Sequence, residues 1–305
     1  MNSDRAPKPL INRRSGDYPI FTGQAGLNNV DETVDFLNAG DVLTSSMMKP
    51  RLLLLLGLLL LNAVRAEETV ALLKPGEALT YNVGWGPVSH AGEIKISAQS
   101  EVVDGQPQLL VQTQTRTRGV IRKLLRFDGT AQSRFDALSG RLLSATAATL
   151  SKKKNTQASM TLDYAKREIG YVDYLEPRRS STLPLPSGAP MDMITALIQS
   201  RAWDLELGQS HEALVMFDNE FYPLQITAER EETISTPNGP RKALLLVPRM
   251  VGKPKGMFRK GGQVRVWVST DRERLPLRFE VSLKVGTAYA TLSDYQAPAV
   301  LLTRR

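Results

Sequence analysis

Downstream of Leu79 the chain alternates apolar and polar residues in short runs. Leu79, Tyr81, Val83 and Trp85 fall on one side of an extended strand, with Thr80, Asn82 and Gly84 on the other. A second run sets Ile94, Ile96 and Ala98 against Glu93, Lys95 and Ser97. Asp104-Gly105 predicts a tight hairpin, and 108–115 returns as a third strand. The same period continues through 126–135, 142–151, 158–164 and 168–174, with turn residues between. A proline-rich break at 183–190 precedes the one clear helical spacing. There Met191, Ile194 and Ile198, with Met193 and Leu197, predict a helix over 191–202. Strands resume at 211–217, 221–230 and 242–251. Val264, Val266 and Val268 then alternate with Arg265, Trp267 and Ser269, and 277–285 pairs back through a turn at 271–276. Residues 288–295 make a closing strand.

This pattern predicts a mainly β fold. Ten to twelve strands make a sheet about 27 Å along the strands and about 50 Å across. A single helix of the predicted length covers only about 18 by 10 Å. It cannot shield one face of such a sheet, and that face must be buried against something. The expectation is therefore a strongly curved antiparallel sheet, an open or half barrel, with one short helix across its mouth or inner face. Gly84, Gly92, Gly129, Ala145, Ala147 and Ala148 favour tight bends. The interior is either filled by side chains or left hollow enough for an acyl chain.

Before these strands stands a different pattern. Lys49 and Arg51 lead into an apolar run from Leu52 to Leu61, followed by Val64 and Ala66 at the positions a signal peptidase inspects. Ten apolar residues are too few for a bilayer span, which needs about twenty. Residues 48–66 are read as a cleaved signal peptide, cut between Ala66 and Glu67, and the protein as periplasmic. Residues 1–47 are polar and without period, and are expected to be an upstream extension, with translation beginning at Met47 or Met48. Arg13-Arg14 has no apolar run behind it and is not read as a twin-arginine signal. Residues 67–305 form one β-rich domain.

Charge narrows the partners. The chain carries 39 Lys and Arg against 31 Asp and Glu, and from Glu67 onward the balance is 32 to 25. In an envelope compartment a basic surface meets lipid head groups, lipopolysaccharide or an envelope protein, and no nucleic acid. Cysteine is absent, so no disulfide, thiolate metal site or cysteine nucleophile can form, and no lipoprotein acylation site follows the leader. His90 and His211 lack a second ligand at metal spacing. No Gly-x-Ser-x-Gly elbow is present, and Asp218-Asn219-Glu220 reads as a hairpin tip. Neither a cofactor nor a catalytic constellation is expected.

Two stretches are basic and carry no acid. Arg116, Arg118, Arg122 and Lys123 lie in or beside the segment 119–125, read as a helical turn or loop. Lys253, Lys255, Arg259 and Lys260 lie in the loop 252–262, beside Met250, Met257 and Phe258. On one rim they would form an anion-facing patch of the membrane-surface kind; the alternative is two ordinary solvated loops. Trp267, on the polar side of its strand, either covers an outer patch or faces a ligand.

Gly76-Glu-Ala-Leu-Thr-Tyr-Asn-Val-Gly-Trp-Gly86 with Ala91-Gly92, and Val266-Trp-Val-Ser-Thr-Asp271 with Arg274, Pro276-Leu277 and Tyr295, resemble the opening and ending of an exported bacterial family, domain of unknown function 3108. The resemblance covers 75–296. It implies export and one β-rich domain, and offers no catalytic residue.

Overall fold

The computed structural model describes residues 73–298, apart from 153, 218–219 and 284–285. The segment 1–47, the signal peptide reading of 48–66 with its Ala66/Glu67 cut, and Asp218 lie outside the described residues.

The chain runs through β1 (Ala78–Trp85), β2 (Val88–Val103), β3 (Gln106–Thr117), a short helix α1 (Gly119–Leu124), β4 (Phe127–Asp136), β5 (Leu142–Ser151), β6 (Thr156–Asp163), β7 (Glu168–Asp173) and β8 (Ser181–Pro184). The second half holds β9 (Met191–Asp192), helix α2 (Met193–Gln199), β10 (Ser210–Phe217), β11 (Glu220–Thr236), β12 (Gly239–Met250), β13 (Gln263–Ser269), β14 (Pro276–Leu283) and β15 (Gly286–Gln296). Among the described residues fifteen strands join one sheet in the order β8-β7-β6-β5-β4-β3-β2-β1-β15-β14-β13-β12-β11-β10-β9. Every pairing is antiparallel except the short β9–β10 bridge. The first strand is thus central, and its partner β15 comes from the end of the chain.

The sheet curls hard. Asp192 at the β9 edge and Ser133 on β4 are ten strands apart in the sheet order, about 48 Å if the sheet were flat. Yet Ser133 Oγ donates to Asp192 Oδ2 at 2.6 Å. Bulges at Thr80/Tyr81, Arg134/Phe135, Ala228/Arg230 and Trp267/Val268 supply local bends. The hairpin read at Asp104-Gly105 forms, with both residues at positive φ (51° and 75°), as that two-residue turn requires. Helix α2 is shorter than the sequence spacing predicts. Met191 and Asp192 pair with β10 instead of entering the helix. Asp192 Oδ1 accepts the Thr195 backbone N–H at 2.8 Å and so fixes the helix start. The break at 183–190 is partly strand, since Leu183 and Pro184 end β8 and pair with Ile169 and Glu168 of β7.

Two core clusters hold the curled sheet together. The larger gathers Leu79, Tyr81, Ile96, Phe135, Ile169 and Ile198, and the smaller gathers Val215, Tyr222, Leu224, Ile226 and Leu246. Tyr81 is fully buried, and its hydroxyl donates to the Pro276 carbonyl at 2.9 Å, so the one polar atom it carries inward is satisfied. No helix among the described residues is long and apolar enough to cross a membrane.

Candidate functional site

Two partly open hollows lie between the sheet and α2. The larger, about 410 Å³, lies over β3 to β7. Its floor follows from register. One cross-strand row reads Thr115–Gly129–Thr149–Thr156, and the next reads Thr113–Ala131–Ala147–Ala158–Asp173. A third runs through Ser133, Ala145, Met160 and Tyr171. Side chains on one strand face sit two residues apart. Gly, Ala and Thr in the first two rows leave little beyond Cβ above the backbone across β3 to β6, and the larger Asp173 and Tyr171 close the floor on β7. Met193 and Ile194 of α2, with Met216, form the opposite wall.

The larger hollow has an apolar centre and a polar edge. Thr149 and Thr156 hydroxyls bond to one another at 2.7 Å. At the end of β7, the buried Asp173 carboxylate accepts the Leu175 and Glu176 backbone N–H groups and meets Arg179 at 3.5 Å. The carboxylate of Asp192 is committed to Ser133 and to the start of α2. The smaller hollow, about 150 Å³, is nearly all apolar and is walled by Val215, Leu224, Ile226, Val266, Phe279 and the opposite side of α2. Met193 and Ile194 line both, so α2 is the partition between them. Ligand pockets run from about 300 to 1,000 Å³; the larger hollow falls in that range and the smaller does not.

Helix α2 is fastened at both ends. Its start is tied to β4 through Asp192 and Ser133. Beyond its end, Arg201 Nη1 donates to the buried Glu77 carboxylate at 2.7 Å, and the Tyr295 hydroxyl donates to the same oxygen at 2.9 Å. Burial, and then this bond to Glu77, push the Tyr295 hydroxyl up to about 12.

The two basic segments emerge at the same end of the strands, since α1 links the end of β3 to the start of β4 and 252–262 links the end of β12 to the start of β13. Five strand steps separate β3 from β13 in the sheet order. Four of the eight cations named in them are paired with carboxylates. Arg116 and Arg118 both reach Glu93, at 3.3 and 2.6 Å. Arg122 donates twice to Asp128, at 2.8 and 2.9 Å, and Lys255 meets Glu220 at 3.0 Å beside the Tyr222 ring. Arg122 first of all, as hydrogen-bond donor, holds the Asp128 carboxyl below its ordinary value. Lys123, Lys253 and Arg259 are exposed; the Lys260 side chain lies outside the described residues. Trp267 lines neither hollow. It is buried in the larger core cluster, and its indole N–H donates to Glu232 at 2.6 Å. Its place on the polar side of the strand reflects that bond and the Arg278 guanidinium 5.9 Å from its ring. Local carboxylates neutralise part of the charge of the two predicted loops, and Lys123, Lys253 and Arg259 keep theirs at the surface.

The residues that make the larger hollow are not among those the sequence singles out as a site. Their signal there is the small-residue run Ala145-Thr-Ala-Ala-Thr149, matched by Ala131 and Ala158 on its neighbours. Among the described residues no three potential metal-ligating side chains come together.

A family profile described as a protein of unknown function, DUF3108, matches residues 80–293. No curated protein matches the sequence. Among solved structures, the chain is similar to a β-barrel-like protein of domain of unknown function DUF1849 from Brucella abortus, at TM-score 0.47 and 9% identity, over 74% of this chain and 98% of that one. It is also similar to a candidate lipoprotein from Parabacteroides distasonis, at TM-score 0.31 and 10% identity, over 73% of this chain and 96% of that one. A candidate exported protein with a YmcC-like fold from Bacteroides fragilis gives TM-score 0.31 and 9% identity, over 73% and 97%.

Proposed function

We propose, for a chain that belongs to the DUF3108 family of proteins of unknown function, that it is a periplasmic, non-enzymatic binder of an amphiphile. The ligand lies in the larger hollow, its apolar tail over the rows of Ala131, Ala147 and Ala158 and under Met193 and Ile194. Its polar end sits at the edge where Thr149, Thr156 and Arg179 gather. The single observation that carries this reading is the 410 Å³ hollow with a floor of small side chains. The leader-like segment 48–66 supports export.

Magnitudes set the class of ligand. Each buried methylene contributes about 0.8 kcal/mol, while association costs at least about 4 kcal/mol in lost freedom. A tail of about five methylenes only offsets that cost; one of about ten leaves a surplus near 4 kcal/mol. The hollow is therefore suited to long-chain amphiphiles. Purification of the protein from its own periplasm, followed by native mass spectrometry and solvent extraction, tests this. A co-purifying long-chain lipid is the expected result. A protein that is lipid-free and leaves the cell with a stoichiometric protein partner would instead make it an adaptor.

A further inference from the structure

Three consecutive connections crown the larger hollow at one end of the strands: 118–126 between β3 and β4, 152–155 between β5 and β6, and 174–180 between β7 and β8. The hollow reaches this end, for its wall includes Phe127 and Thr156, the first residues of β4 and β6, and Asp173, the last of β7. The connections share an unusual surface. On α1, Val120 and Leu124 stand four residues apart on one face and are 69% and 72% exposed, while Ile121 and Leu125 turn partly inward. Leu150 (46%), Tyr174 (53%) and Leu175 (51%) continue the exposed apolar positions along the same end. In sequence, 118–128, 150–157 and 174–179 together carry nine Lys and Arg against two acids.

We propose that this crown is a bilayer-docking face, by which the hollow is presented to an anionic lipid surface. Val120 and Leu124 enter the head-group region, and Lys123, Arg126 and Lys152 meet the lipid phosphates around them. The loop is braced for this. Arg122 clamps Asp128 and the Thr117 carbonyl, Lys152 Nζ donates to the Lys123 carbonyl at 2.6 Å, and Phe127 N–H donates to Thr117 Oγ1 at 3.0 Å. Charge selects the occupant. Glu93, Asp128, Glu176 and Asp173 pair with Arg118, Arg122, Arg126, Lys154 and Arg179, but four carboxylates do not balance the nine cations in sequence, so a second copy docking by the same patch would set net positive charge against itself. An anionic bilayer complements both the charge and the scattered apolar tips, since insertion requires no matching relief. The inference rests on the amphiphile-binding reading for its purpose but not for its test.

The test is sedimentation of the whole protein with vesicles of phosphatidylcholine alone, or of phosphatidylcholine mixed equally with phosphatidylglycerol. Binding to the mixed vesicles should be stronger by about tenfold or more and should weaken as salt is raised. Val120→Asp with Leu124→Asp should remove most of that gain; any leader segment is common to all the proteins compared. A Leu124→Trp reporter should be quenched by brominated phosphatidylglycerol, which keeps the test valid should the double variant fold poorly. An Ala147→Phe variant, which fills the hollow, should dock as the wild type does, so failure of ligand binding and failure of docking are separable. Equal binding to both vesicle types, no quenching of the indole in the Leu124→Trp reporter, or a double variant that docks unchanged would overturn the proposal.

Discussion

Arg201 and Glu77 are joined by a 2.7 Å charge-assisted hydrogen bond, with only 17% and 1% of their side chains exposed. The bond links the end of the α2 region to the residue before β1, the strand at the centre of the sheet. It therefore fixes the partition between the two hollows against the middle of the sheet. Removing one member leaves the other without its counter-charge, with only neutral partners: the Glu273 carbonyl for Arg201, and the Tyr295 hydroxyl and Lys74 N–H for Glu77. Glu77→Gln is expected to cost about 3–5 kcal/mol, which in a domain of this size lowers the melting temperature by roughly 6–20 °C. Glu77→Gln with Arg201→Met should cost clearly less than the two single changes added together. Thermal melts of the three variants give the cycle.

At the other end of α2, Ser133→Ala removes the donor to Asp192 Oδ2 and keeps the Thr195 N–H bond to Asp192 Oδ1. The expected loss is about 1.5–3 kcal/mol by denaturant titration, the range for hydrogen bonds to charged groups. Because Ser133 lies in the floor row beside Ala145, the same change should also loosen the wall of the larger hollow.

Gly92 sits where β2 runs close beside β3. A Cβ there would come within 2.6 Å of the Arg116 carbonyl oxygen, a backbone atom that cannot rotate away. Gly92→Ala should destabilise by about 1–3 kcal/mol and disturb the base of α1, since Gly92 pairs with Thr117. Amide exchange across Thr117 and Phe127 reads that second effect.

Stability should fall at both extremes of pH, for opposite reasons. Burial pushes the Asp271 carboxyl up, but Arg241 and Ser269 outweigh it and hold it below the ordinary 3.8. Asp128 is held down chiefly by Arg122. Carboxylates lowered in the folded state contribute stability above 3.8 that is lost as pH falls through their folded values. Tyr295 is the reverse. Raised from 10.0 to about 12, it contributes fully below 10 and that contribution disappears as pH rises toward 12. Burial raises Tyr81 further in the same direction. Melting temperatures across the range, with tyrosinate absorbance on the alkaline side, should show an acid limb softened in Asp271→Asn and an alkaline limb softened in Tyr295→Phe.

Most of the fold was legible because period-two alternation survives wherever one strand face is buried: β1, β2, β13 and β14 contain the alternating runs that predict them. The need for curvature was legible too, from the mismatch between strand surface and helix footprint. Residues such as Met191 and Asp192 were not, because helical spacing cannot reveal that the first two positions will pair with a strand 24 residues away. The basic loops were visible as composition, but the pairing of Arg116 and Arg118 with Glu93, and of Lys255 with Glu220, depends on which strands become neighbours. The hollow was hidden for the same reason. Ala131, Ala147 and Ala158 are ordinary alanines until register places them in one row.

That row holds the account's central claim, and one titration addresses it most directly. A fluorescent long-chain fatty acid should bind the delipidated protein with one site, and Ala147→Phe should weaken it by about tenfold or more without lowering the melting temperature. Equal affinity for both proteins, or no binding to either, would contradict the account.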